Sequence, residues 1–201
     1  KRLTHKGVAF LGGHPMAGSH LTGSRNGSID LFNGSKYFLV TSSQTKQQLR
    51  DFEQLLDSAN VDWTEITAET HDKLVSELSH LPHVVAATLV NSVADGLAHD
   101  PVGLKAAAGG FKSTTRIAAS DPKMWTAIMM SNSQVMAQEL ATFQTALSHF
   151  EQAIQDQDEA AIYAAFAKAQ KIRNSLVLGV PNIILLCSSC LKRTWSLLCK
   201  T

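Results

Sequence analysis

The chain has 201 residues, 44% of them hydrophobic and 17% charged, with a formal net charge of +1. That length holds one large domain or two small ones around a proper core, and the balance is that of an ordinary soluble globular protein. Beyond Lys192-Arg193 no basic block supplies a footprint for a nucleic-acid backbone, and the aromatics do not interleave with basic residues, so nucleic acid is excluded as a partner.

No apolar helix follows the N-terminal Lys1-Arg2-Leu3-Thr4-His5-Lys6, so no secretory signal is read there. The apolar run Ile183–Cys187 is too short for a membrane span. Cys187, Cys190 and Cys199 all lie near the C-terminus and the preceding body has no cysteine. That pattern is not a disulfide framework and fits a reducing, cytoplasmic setting; one Cys-x-x-Cys is a weak zinc signal.

In chain order, Val8–Leu11 read as a strand running into the loop Gly12-Gly13-His14-Pro15-Met16-Ala17-Gly18-Ser19. Glycines there permit a sharp turn or a close approach to a ligand, and a histidine at a strand end sits where open sheets hold ligands. The alternative is a junction whose histidine bonds a carbonyl. Asp30–Phe32 reads as a single turn and Asn33-Gly34 as another. Tyr37–Thr41 is a second strand, and Ser42 or Ser43 caps a helix over about 44–59 with Leu49, Phe52, Leu55 and Leu56 on one stripe. Val61–Ile66 is a third strand. Strand, helix and strand at this length make a βαβ-like unit in a mostly parallel sheet.

From Thr67 the composition turns helical. Leu74, Leu78, Leu81, Val85, Leu89 and Val93 recur at helical spacing, and Pro82 within that run predicts a kink flanked by His80 and His83. A break holding a short helical piece spans His99–Phe111. Asp121-Pro122 is a helix start with a capping aspartate, and helices are expected over about 122–130, 133–156 and 159–177. Their generous apolar faces leave room for a subunit interface. Residues 180–201 depart in style and read as a tail, a truncated module or altered sequence.

Three separated stretches carry a family resemblance: Gly13–Ser19, then Ser79-His80-Leu81-Pro82-His83, then Gly109–Ala118 with Pro122 and Trp125 behind. Their order and spacing resemble the prephenate dehydrogenase family, over about residues 5–178. The resemblance implies an α/β then all-α architecture: residues 1–67 as the C-terminal part of a Rossmann-type NAD(P)-binding domain, and 68–179 as an all-helical substrate-binding and dimerisation domain. It implies oxidative decarboxylation of prephenate to 4-hydroxyphenylpyruvate with NAD or NADP, by a homodimer. An arogenate-preferring enzyme, or a non-catalytic helical dimerisation or regulatory fragment, is the alternative. The Gly-x-Gly-x-x-Gly fingerprint is absent, and its place would lie before Lys1, so the chain is expected to be N-terminally truncated.

The resemblance assigns His14 as the catalytic histidine, a general base or hydrogen-bond acceptor toward the ring hydroxyl, for which an imidazole titrating near the working pH is suited. Arg116 resembles the substrate-binding arginine, whose planar guanidinium can hold a carboxylate bidentately; the Gly109-Gly110 turn and the Thr114 and Thr115 hydroxyls are expected to form a loop that cradles the acid. By residue type alone, such an arginine is more often a surface pair. His83 resembles a second site histidine, with His80 on the same side and Lys112 adding positive potential. Ser113 stands where many relatives carry an acidic residue. Ser19 is expected at the substrate and Trp125 is expected to shape the pocket or the core, while Gly13, Pro15 and Met16 are assigned to the cofactor. No metal pattern accompanies the histidines, and His71, His99 and His149 receive no role.

Overall fold

The computed structural model describes residues 10–18, 25, 27–40 and 46–178. The readings placed on Val8, Ala9, Ser19, Ser42, Ser43 and the cysteine-bearing segment 180–201 lie outside the described residues. Two compact units divide the chain at Ala141 and Thr142.

The first unit carries a three-stranded sheet in the order β1-β2-β3. Strand β1 is Gly12–Pro15, β2 is Lys36–Val40 and β3 is Asp62–Ile66. Of the strand expected over Val8–Leu11, the described Phe10 and Leu11 lie outside a strand, and Gly12 to Pro15 are strand rather than loop. Propensity disfavours glycine in a strand, but packing here requires it. A Cβ on Gly13 would meet the Tyr37 ring at 3.0 Å, and one on Gly12 would meet Val40 at 3.2 Å. Both glycines let the strand lie close to β2.

The sheet is also mixed rather than mostly parallel. β2 and β3 are parallel, joined through helix α1 (Lys46–Leu55), while β1 runs antiparallel to β2. Helix α1 is shorter than expected because the chain tightens into a 3-10 turn at Asp57–Ala59 and ends at Asn60 in the left-handed region. The turn expected at Asp30–Phe32 is a 3-10 turn, Ile29–Phe32, capped by Ser28. Gly34 follows it at φ 69°, a conformation that suits glycine, and donates to the Asn60 carbonyl.

Alternation along the strands sorts the two faces. Tyr37, Phe52 of α1 and Trp63 form an aromatic cluster with ring centroids 4.9–6.0 Å apart. Leu39, on the same face as Tyr37, is fully buried. His14 pairs with Phe38 in register, which places both on the opposite face.

On that face lies α2 (Ala68–Val75), capped by Thr67, whose hydroxyl accepts from the Thr70 amide at 3.1 Å. The kink expected at Pro82 is realised as a π turn, Ser76–His80, between α2 and α3 (Leu81–Gly96). The Leu81 amide reaches five residues back to the Ser76 carbonyl. A wider turn directly before proline absorbs the missing donor and ring crowding that a straight helix could not. The short helical piece in the following break is a 3-10 turn, Gly103–Ala106.

Gly109 and Gly110 do not form a turn. They open α4 (Gly109–Thr115), which passes into a 3-10 turn at Arg116–Ala119. The Thr115 hydroxyl donates to the Phe111 carbonyl one turn back, at 2.7 Å, so its hydrogen is turned to the helix and not to a ligand. Helix α5 (Pro122–Ser131) begins behind Asp121, whose Oδ1 accepts from the Met124 amide at 2.9 Å, as that Asp-Pro pair predicts. Helix α6 is Ser133–Gln155 and α7 is Glu159–Leu178, within a residue or two of expectation. In the second unit, Phe150 and Phe166 meet edge to face at 5.4 Å.

Candidate active site

A cavity of about 630 Å³ lies wholly within the first unit. Its walls come from the end of β1, α2, the π turn, the start of α3 and α5. His14, Pro15, Met16, His80, His83 and Trp125 all line it, so the structure brings together six of the residues singled out from sequence.

Register decides that His14 is there. A shift of one residue in β1 would carry its side chain to the face occupied by the aromatic cluster. The side chain instead meets His71 on α2, with Nδ1 of His14 2.8 Å from Nε2 of His71. His71 Nδ1 in turn lies 3.0 Å from Asp72 Oδ1. Phe38 packs edge to face on the His71 ring at 6.1 Å, and Asn132 donates to the Asp72 carbonyl at 2.9 Å, which fixes this turn of α2.

The far wall is aromatic. His83 stacks on Trp125 with ring centroids 3.5 Å apart and planes 23° from parallel, and its Nδ1 lies 2.8 Å from the Ser79 carbonyl. A carbonyl only accepts, so that nitrogen carries the hydrogen. His80 is buried and sits edge to face with Trp125 at 6.0 Å.

Arg116 and Lys112 are exposed and lie outside the residues lining this cavity, as does Gly13. A Cβ on Gly13 would meet the Tyr37 ring, so its lack of a side chain serves the packing of β1 on β2. His71 and Asp72 are the titratable wall residues that sequence reasoning missed. They sit side by side near the start of a helix, and nothing in local sequence tells that α2 docks against the His14 strand. Four histidines share one cavity, yet among the described residues no group of three or more His, Cys, Asp or Glu is arranged to hold a metal ion.

Burial holds the pKa of His14 below the ordinary value of 6.5, and the neighbouring His71 ring lowers it further. His80 is lowered as well, first by burial and then by His83, His14 and His71, with Asp72 opposing. Lowered folded pKa values mean that the unfolded chain binds protons first as pH falls below 6.5. The stability these groups contribute is present above that value and is lost as pH falls toward the folded values. The denaturant midpoint is therefore expected to drop between about pH 7.5 and about pH 5.5, and to drop less in His14→Gln. A midpoint that rises over this interval would contradict the lowered values.

Comparison with known proteins places this geometry in context. The family model described as prephenate dehydrogenase, nucleotide-binding domain, matches residues 1–65, and that described as prephenate dehydrogenase, dimerization domain, matches residues 67–168. A prephenate dehydrogenase of Lactococcus lactis is 35% identical over 178 residues, covering 87% of this chain and 49% of its own. The solved prephenate dehydrogenase of A. aeolicus, in complex with hydroxyphenyl propionate and NAD+, is similar at a TM-score of 0.76 and 29% identity, over 83% of this chain and 59% of its own. The Synechocystis arogenate dehydrogenase is similar at a TM-score of 0.74 and 26% identity, over 83% of this chain and 61% of its own. The chain spans about half the length of the curated relatives it matches. Among the described residues no helix is long and apolar enough to cross a membrane.

Proposed function

The chain belongs to the prephenate dehydrogenase family, and from that premise we propose that it serves the oxidative decarboxylation of prephenate to 4-hydroxyphenylpyruvate, with hydride transfer to NAD or NADP. The observation that carries this reading is His14 on the cavity wall, with one ring edge engaged by His71 and the residue open to a ligand.

In this reading the ring hydroxyl of the substrate gives its proton to His14 while the carbon bearing it loses hydride. The ring carboxylate departs as carbon dioxide, its electron pair enters the ring, and the ring becomes aromatic. A neutral imidazole is required at the start, and the lowered pKa of His14 supplies it down to below 6.5. A bound nicotinamide nucleotide supplies the hydride acceptor. Pro15 and Met16, which line the same cavity as the stacked His83 and Trp125, would hold such a group. His80 and His83 shape the substrate side of the cavity and Trp125 closes it.

We assign Arg116 to a substrate carboxylate, with Lys112 adding to the positive potential. Arg116 is exposed, and among the described residues no carboxylate pairs with it, so its guanidinium is available for an anionic ligand. Arg116→Ala is expected to weaken substrate binding by about 1.5–3 kcal/mol, the range for a hydrogen bond to a charged group, seen as a raised KM. An unchanged KM removes Arg116 from the site, as its position outside the cavity wall would then explain.

The homodimer is proposed on the matched dimerization domain and on the exposed apolar side chains Leu147, Ile154, Tyr163 and Phe166 of α6 and α7. We propose a cytoplasmic setting for the reaction, a reading supported by a body with no cysteine before Cys187. The reaction is tested by adding NAD or NADP, with prephenate or arogenate, to the full-length protein and following reduced nicotinamide. Turnover of arogenate alone would replace prephenate as the substrate, and turnover of neither would overturn the reading.

A further inference from the structure

The hydrogen-bond chain on the cavity wall has a direction. Asp72 Oδ1 lies 3.0 Å from His71 Nδ1, and His71 Nε2 lies 2.8 Å from His14 Nδ1. A carboxylate only accepts, so His71 Nδ1 carries the hydrogen. Neutral His71 then has its lone pair on Nε2, where it accepts a hydrogen from His14 Nδ1. Neutral His14 is left with its own lone pair on Nε2, across the ring from His71, and the residue lines the cavity. The reverse direction would require His71 to hold hydrogens on both nitrogens.

We propose that Asp72 and His71 are positioning residues that set the tautomer of His14 and so present its Nε2 lone pair to the ligand. This rests on the reading of His14 as the base and adds what orients it. The surroundings suit the role. Thr67 caps the helix that carries the pair, Phe38 holds the His71 ring edge-on, and Asn132 grips the backbone of Asp72. The Asp72 side chain is 52% exposed, so water screens its charge, and orientation outweighs electrostatic stabilisation in what it contributes. When His14 takes a proton, the His71 lone pair still receives the Nδ1 hydrogen, so the imidazolium forms without rearrangement of the chain.

The test reads the ring nitrogens directly by nitrogen-15 NMR of the histidines, which needs no turnover. In the wild-type protein above the His14 pKa, Nδ1 of His14 is expected to carry the hydrogen and Nε2 to be bare. Asp72→Asn offers an amide donor to His71 Nδ1, which favours the opposite His71 tautomer; a rise of the Nε2–H form of His14 is expected. His71→Phe removes the acceptor and should also relax the preference. A wild-type His14 with its hydrogen on Nε2, or an unchanged Nδ1–H preference in both variants, overturns the proposal.

Kinetics supply a second readout. In the full-length protein, His71→Phe is expected to lower kcat by about 10–100-fold, the usual range for a residue that orients a reacting one, with KM nearly unchanged. A raised KM with unchanged kcat would overturn the positioning role. A wild-type protein with the expected tautomer and no turnover of prephenate or arogenate would sink the proposed reaction while leaving this assignment standing.

Discussion

Replacing His14 with Asn in the full-length protein is expected to lower kcat by about 10²–10⁴-fold, the range for loss of a general base, with little change in KM. Asparagine keeps a polar side chain at the cavity wall but cannot take a proton. The variant's residual rate should be flat across the acid limb of the pH–rate profile, because the group that must be neutral has been removed, so the fold-loss shrinks as pH falls through the wild-type break. The wild-type limb should break below 6.5, in the direction that burial and His71 impose on His14. Turnover within a few-fold of wild type in His14→Asn would place the base elsewhere.

The second large effect is structural. Leu39 sits in the middle strand with no exposed surface, opposite Gly13 on one side and Glu65 on the other. Leu39→Ala is expected to destabilise the fold by about 2–5 kcal/mol, combining the lost transfer energy with the cavity left behind. The glycine strand beside it brings no side chain that can fill the space. Denaturant unfolding measures the loss, and a change below about 1 kcal/mol would show that this sheet is not a core of the first unit.

Because His14 lies one position beyond Gly13 on the same strand, the two effects are linked. The packing that requires small residues at Gly12 and Gly13 also holds β1 in the register that aims His14 at α2. A bulkier residue at position 13 would press on the Tyr37 ring before it reached any ligand. The glycines therefore act on chemistry through the sheet, by positioning the histidine.

Much of the architecture was legible in the residues themselves. Helical spacing and capping chemistry are local, so Asp121-Pro122, Thr67 and the breaks near Asn132 and Gln157 announce the helices closely. Pro82 announces an irregularity because a missing N–H is a local fact, although its resolution as a π turn depends on how α3 packs. The motif stretches carried His14, His80, His83 and Trp125, and the cavity gathers those four.

Other features belong to tertiary structure. Whether Gly12-Gly13 is loop or strand depends on the partner strand, since glycine reads as a breaker until Val40 and Tyr37 are seen against it. The antiparallel sense of β1 is set by its pairing with β2, which the turns read at Asp30–Phe32 and Asn33-Gly34 do not specify. Gly109-Gly110 reads as a turn by composition, yet helical hydrogen bonding claims it and uses the Thr115 hydroxyl as well. His71 and Asp72 have no signal in sequence because their meaning is a distance: 57 residues separate His71 from His14, and 2.8 Å separate their rings' nitrogens. The sequence by itself determined which side chains can take a proton and where the helices start. Only the folded chain decided which nitrogen of His14 is left to take it, because a tautomer is set by the neighbour that accepts the other hydrogen.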